Sequence, residues 1–302
     1  MFKHILVPLD GSRLAEAALP AAAYLGQVLG ASITLIHIIE QNAPKEIHGE
    51  RHLTNDDEAC AYLADITERT LPASLTIEQH VHTTEVSNVA RSIVDHVGET
   101  SSDLIIMCTH GRGGVHSFLF GSIAQQVIAL GSCPVLLIQA PDSGEFSPFT
   151  CNQILVPLDG NPEHEASLPI VSELAEQCSA VIRLIMVVHK TSTLTGEQAS
   201  AARMLPTAAS ALLDLMHQNA EDYLRGHENQ LKAEGRTAAS SAYRGEPSAV
   251  IARVAEEIDA DMIVLGTHGK AGMDAFWSGS ITPKIARQTR IPLLLIRAVS
   301  NT

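Results

Sequence analysis

In the second half of the chain, glycines, small hydroxyls and one carboxylate are spaced as a phosphate-holding loop would need them. Gly266 is followed after two residues by Gly269, and after nine more by Gly279 and Ser280. An apolar run ends at Leu265, and a helical pattern opens near Ser280. Gly266 and Gly269 let the backbone turn sharply and approach a ligand with no Cβ in the way. Gly279-Ser280 stands at a helix start, where unpaired N–H groups and the helix dipole favour an anion. Ser280 and Thr282 add hydroxyls able to contact phosphate oxygens. Asp159 ends the first strand of the same half, where it can bond a ribose hydroxyl or help hold Mg²⁺. The plainer alternatives are a glycine loop that only closes strand onto helix, and an Asp that caps the next helix.

Other reactive residues are less organised. The fourteen histidines invite a metal reading. His48 and His52 have i, i+4 spacing, and His80 and His82 share one strand face. Neither pair has a Cys or third ligand at diagnostic spacing, so no metal held by the protein alone is expected. His110 and His268 recur in a Thr-His-Gly loop, as a general base or as loop packing. Arg112 and Lys270 lie on loops and can meet phosphate or solvent. The chain has no GxxxxGK(S/T) lysine, and no Ser-His-Asp or paired-carboxylate set stands out, so no catalytic residue is assigned.

These residues belong to a repeated framework. HILVPLDGS (residues 4–12) returns as QILVPLDGN (153–161), and MCTHGRGGVHSFLFGSIA (107–124) returns as LGTHGKAGMDAFWSGSIT (265–282). The offset is 149 residues between Asp10 and Asp159 and 158 between Gly111 and Gly269, so the second copy carries a net insertion of nine. The insertion is placed around residues 191–210, where an Ala-rich run (199–211) reads as an amphipathic helix or a flap. Domains are expected at 1–140 and 153–302, joined by a Pro/Ser/Gly-rich linker at 141–152.

Within each copy, apolar runs of strand length alternate with amphipathic stretches. They fall at 5–8, 33–39, 75–81, 104–107 and 135–138, then at 154–157, 181–188, 237–243, 262–265 and 293–296. Helical patterns include 15–29 and 166–177. This alternation predicts an α/β fold of two five-stranded parallel sheets with helices on both faces. The last strand of each copy has no charge or internal Pro to blunt an edge. Pairing 135–138 with 293–296 would satisfy both, giving an intrachain pseudo-dimer.

Composition agrees. Hydrophobic residues are 45% and aromatics 4%, so cores of Val, Ile, Leu and Ala are expected. A net charge of −14 repels phosphate backbones, which argues against nucleic acid and anionic membranes as partners. The five cysteines (60, 108, 133, 151 and 178) form no CxxC pair, and no apolar run reaches 18 residues. Met1-Phe2-Lys3 leads directly into a strand, so no leader is expected and the setting is read as cytoplasmic.

VPLDG, the GxxG-x9-GS pattern and the terminal apolar strand together resemble the universal stress protein family in its tandem two-domain form, over nearly the whole chain. The resemblance implies strand order 3-2-1-4-5, nucleotide between strands 1 and 4, and antiparallel pairing of fifth strands. It implies that Pro157, Leu158 and Asp159 border adenosine and that Val187 meets adenine through its backbone. Leu265, Gly266 and Gly269 would line the ribose and phosphate loop, with Gly279, Ser280, Ile281 and Thr282 on the phosphates. The first copy keeps Pro8, Leu9, Asp10, Gly111, Gly121 and Ser122, with Ile38 in the place of Val187. It departs at Cys108, where the first signature glycine is expected, and at Ala124, the counterpart of Thr282. Cys108 projects a side chain where the backbone should meet the ligand. If the position also requires positive φ, the strain is of order 1–2 kcal/mol. An apolar strand end makes its thiol an inert buried group rather than a redox sensor.

The expected function is a nucleotide-binding regulatory stress protein. ATP, ADP or AMP, with or without Mg near Asp159, would lie mainly in the C-terminal repeat and set conformation, oligomeric state (pseudo-dimer or homodimer) or protein contacts. The alternatives are a slow ATPase or nucleotide-dependent enzyme, and a scaffold whose N-terminal domain binds another ligand or a protein.

Overall fold

The structure is a computed structural model describing the chain except residues 45, 48–49, 110–120, 141–145, 147, 195, 268–280 and 298–302, with only backbone at 47 and 198. It divides into two compact units, 1–150 with 292–297, and 151–267 with 281–291, among the described residues.

In the first unit, β1 (His4–Pro8) and β2 (Ser32–Glu40) are joined through α1 (Arg13–Glu16) and α2 (Leu19–Leu29). The helical stretch expected at 15–29 is thus two helices, because Pro20 sits in the first turn of α2 and starts a new segment. A two-residue ribbon, β3 (Glu46–Ile47) and β4 (Glu50–Arg51), precedes α3 (Asp56–Thr70). Asn55 caps α3 by accepting from the Glu58 amide, and Asp56, Asp57 and Glu58 meet the positive end of its dipole. β5 (Ile77–Val86), α4 (Val89–Glu99), β6 (Leu104–Thr109), α5 (Ser122–Leu130) and β7 (Val135–Gln139) follow.

The sheet order is β5-β2-β1-β6-β7, which is 3-2-1-4-5 in terms of the repeat. Ile5, Leu6, Val7, Ile33, Leu35, Ile105, Ile106 and Leu136 are fully buried, as strands covered on both faces require. β5, at the edge, is the exception. Its sequence IEQHVHTTEV leaves most side chains exposed, and charge on an outer strand discourages further pairing. That polarity is also why the expected strand at 75–81 is displaced. Leu75 closes a turn onto Pro72, and the strand runs on to Val86.

In the second unit, β8 (Gln153–Leu158), α6 (Ser167–Cys178) and β9 (Val181–Val188) lead to α7 (Gly196–Met204) and the long α8 (Pro206–Ala233). The Ala-rich run is therefore helical, interrupted at Leu205 before Pro206. β10 (Ala238–Arg244), α9 (Pro247–Glu257), β11 (Met262–Thr267), α10 (Thr282–Ala286) and β12 (Leu293–Arg297) complete the chain. The order β10-β9-β8-β11 repeats 3-2-1-4.

β12, the fifth strand of the second repeat, is grouped with the first unit and pairs antiparallel with β7 (Leu293 opposite Leu137, Leu295 opposite Val135). The pairing expected from two unblunted apolar strands is the one formed.

Both repeats use one unforeseen clasp. Asp103 accepts from the amides of Lys3 (2.7 Å) and His4 (3.0 Å), and Asp261 accepts from those of Asn152 (2.7 Å) and Gln153 (2.8 Å). Each carboxylate fixes the entry of strand 1 beside strand 4. Among the described residues, no helix is long and apolar enough to cross a membrane.

Candidate functional site

In the first unit, the carboxyl ends of β1 and β6 meet where the chain order of the strands reverses, the position at which open parallel sheets bind ligands. A cleft of about 290 Å³ opens there. Pro8, Leu9, Asp10, Ile38, Gly121 and Ser122 all line it, together with Cys108 and Ala124. Seven residues were expected in this site, and the structure brings six together; Gly111 lies outside the described residues. The wall also includes His37 and Glu40 from β2, beside an irregularity in its pairing with β5 between Ile38 and Glu40. Bulges re-aim side chains next to binding sites. α5 starts at the cleft with Gly121 as its N-cap and no side-chain cap. Its first amides are thus not covered by a capping side chain.

Asp10 holds the turn that leaves β1. Its Oδ1 accepts from the Ser12 amide (2.9 Å) and hydroxyl (2.6 Å), while Ser12 Oγ accepts from the Ala15 amide (3.2 Å) and caps α1. Capping falls to Ser12, one step removed from the carboxylate. Gly11, next in the chain, has φ +90°, and an added Cβ would lie 2.7 Å from Leu53. Gly160 repeats the left-handed turn at φ +79°, so both Asp-Gly pairs need the glycine.

Cys108 sits in β6 opposite Ile138, and its φ is not positive. The strain considered for this position is therefore absent. Burial pushes its thiol pKa up to about 12, leaving it protonated at neutral pH. Its effect on the cleft is steric.

In the second unit, Pro157 and Leu158 finish β8 with Asp159 next in the chain, and Leu265 and Gly266 lie on the adjacent β11. Leu158 and Leu265 are buried, at 5% and 4% exposure. Val187 is on β9 opposite Tyr243 of β10. Ile281 and Thr282 begin α10, two residues later than the helix start expected near Ser280, and Thr282 is buried. Gly269, Gly279 and Ser280 lie outside the described residues, as do His110, Arg112, His268 and Lys270.

Gly266 is required for a reason the motif did not disclose. Its φ is not positive, but an added Cβ would lie 2.6 Å from the carbonyl oxygen of His164 and 2.8 Å from its Cα. The close neighbour is the chain's own turn, a 3-10 segment at His164–Ala166. His164 also engages Asp159, with Nδ1 2.9 Å from both carboxylate oxygens. Asp159 additionally accepts from the Asn161 amide at 3.0 Å. Burial raises the Asp159 pKa, but the His164 and Asn161 hydrogen bonds outweigh it, and the net shift is downward. Sequence reasoning missed His164. The signal was available, since the offset of 149 places it opposite Ala15, a cleft-lining residue of the first repeat.

The comparisons agree with this architecture. The profile of the universal stress protein family matches residues 1–139 and again 151–297. A universal stress protein of Synechocystis sp. is 32% identical over 142 residues, covering 46% of this chain and 86% of that protein. One of Mycolicibacterium smegmatis is 21% identical over 300 residues, covering 97% of this chain and 96% of that protein. The crystal structure of a universal stress protein from Archaeoglobus fulgidus superposes with a TM-score of 0.69 at 17% identity, covering 99% of this chain and 97% of that one. With the family matched separately in each half, the chain belongs to the universal stress protein family and carries two of its domains in tandem.

Proposed function

We infer that this chain is a nucleotide-binding regulatory protein, with an adenine nucleotide such as ATP held mainly in its C-terminal repeat. The observation that carries this reading is that Asp159, just after β8, and Gly266, the first glycine of GxxG-x9-GS, stand at the carboxyl ends of adjacent strands β8 and β11. The residues fit such a group. Asp159 is 57% exposed as a side chain and carries an ionised carboxylate at the carboxyl end of the sheet. Pro157, Leu158, Val187, Leu265, Gly269, Gly279, Ser280, Ile281 and Thr282 complete the proposed contacts, with Mg²⁺ near Asp159. The nucleotide supplies binding energy for a conformational or partner-binding change, and no residue is assigned a role in its hydrolysis.

The first repeat has a cleft of its own, which favours a second reading. Its cleft, at about 290 Å³, lies at the lower end of the range of about 300–1,000 Å³ common for small-molecule pockets. Cys108 and Met107 contribute to that narrowness. The scaffold reading, in which the N-terminal domain holds another small molecule, rests on this cleft.

Calorimetric titration of the full chain with Mg-ATP tests the proposal. One tight site is expected, weakened at least about tenfold by Asp159→Ala and unchanged by Asp10→Ala. Two equal tight sites would overturn the asymmetry, and no binding would overturn the function. Phosphate release compared between the native chain and Asp159→Ala separates binding from turnover.

A further inference from the structure

β5 and α4 carry three histidines that the nucleotide site does not use. His80 and His82 are two apart on β5, so they share a strand face, and α4 brings His96 against them. The Nε2 atoms of His80 and His96 are 3.1 Å apart, and one ring nitrogen from each of the three lies within 4.8 Å of the others. The rings of His80 and His82 each sit 4.9 Å from that of His96, centroid to centroid.

The tautomer of His96 follows from its other contact. Its Nδ1 is 2.7 Å from the carbonyl oxygen of Ser92, which can only accept, so Nδ1 carries the proton. Nε2 of the neutral ring therefore turns a lone pair toward His80. A backbone acceptor on the far nitrogen is the arrangement that orients metal-binding imidazoles. Zn–N bonds of about 2.0–2.1 Å in a tetrahedron place ligand nitrogens about 3.3 Å apart, close to the separation seen here.

A fourth group is at hand. Glu99 Oε2 is 3.5 Å from His96 Nε2, and its side chain is 67% exposed and free to adjust. His96 is buried at 3% exposure, His82 half-buried and His80 exposed, so the cluster opens to solvent on one side. That gradient gives a hydrated ion an entry path. The net charge of −14 favours cation approach.

We propose that His80, His82 and His96 form a site for a borderline first-row divalent cation, zinc foremost, with Glu99 or water completing the coordination. Imidazole ligands select such ions over the oxygen-seeking Mg²⁺ and Ca²⁺. The ion pins the polar edge strand β5 to α4. Spacing alone does not reveal the site, because His96 follows His82 by fourteen residues and lies on a different element. The simpler use of the same atoms is an N–H···N hydrogen bond between His80 and His96.

The test is titration of the chelator-stripped full chain with Zn(II) alone, with Co(II) as the absorbing substitute and Mg(II) as competitor. One equivalent of Zn(II) should bind, and Co(II) should give the visible absorption of a four-coordinate site. His80→Gln/His82→Gln leaves buried His96 in place and should weaken binding at least about tenfold, with circular dichroism confirming that this variant is folded. Failure of the native chain to take up one equivalent would overturn the proposal, as would unchanged affinity in the double variant. Displacement of Zn(II) by excess Mg(II) would overturn the assigned ion class.

Discussion

His164 lies across Asp159, its Nδ1 2.9 Å from each carboxylate oxygen. The corresponding place in the first repeat is Ala15, which carries no imidazole. A carboxylate proposed to hold a nucleotide is thus already held by its own chain, so ligand and imidazole compete for it. We expect His164→Ala to tighten Mg-ATP binding roughly two- to tenfold, the worth of one net hydrogen bond of about 0.5–1.5 kcal/mol. Calorimetry on the full chain measures this, and weaker binding would show that His164 supports the ligand instead.

The same contact sets a pH dependence. Hydrogen bonds from His164 and Asn161 hold the Asp159 carboxyl below its ordinary value of 3.8, against the upward push of burial. A depressed folded pKa means stability that is fully present above 3.8 and is lost as pH falls through the folded value. In His164→Ala the carboxyl should titrate at higher pH than in the native chain. Carbon NMR of labelled aspartate follows the shift directly.

Gly266→Ala should destabilise the second unit by about 1–3 kcal/mol, because the new methyl meets backbone rather than a side chain able to swing away. Urea unfolding detects it as a lower midpoint. In the first repeat, Cys108→Gly removes a side chain from the cleft wall and should increase nucleotide uptake there, at a cost of about 0.5–1 kcal/mol for glycine in a strand.

The two Asp-Gly turns should respond unequally to alanine. Gly11 and Gly160 both have left-handed backbones, so each substitution carries about 1–2 kcal/mol of strain. At Gly11 the methyl also lies 2.7 Å from Leu53, while at Gly160 the nearest atom is the flexible Met186 tip at 3.6 Å. Gly11→Ala should therefore be the more damaging, as parallel denaturation curves would show.

Thiol labelling should be selective. Burial pushes the pKa values of Cys108 and Cys133 up to about 12, and Cys151 and Cys178 are buried. Exposed Cys60 should react first with iodoacetamide at mildly alkaline pH. Peptide mass spectrometry gives the order, and rapid labelling of Cys108 would contradict its description as an inert cleft wall.

The central strands were legible because each is an unbroken apolar run, and burial on both faces demands that pattern. β5 was misplaced for the converse reason, since an outer strand is chosen for polarity and half of it reads as loop. Asp10, Asp159 and the glycine loops announce themselves by repetition. The need for glycine at 266 does not, because the clashing atoms belong to His164, a hundred residues earlier. Nor do the Asp103 and Asp261 clasps, which act on backbone amides about a hundred residues away. Contacts of this kind leave no periodicity to read.

The joining of β7 to β12 has a consequence for the order in which the chain is made. Val135 and Leu295 are partners, yet 160 residues separate them. On the ribosome, the first repeat emerges with one flank of its sheet bare until residues 293–297 are synthesised. Contacts at such separation form late, and an apolar strand kept waiting is a target for chaperones and for stray copies of itself. Emergence of the second repeat's fifth strand, rather than completion of the first repeat, is the event that closes this sheet.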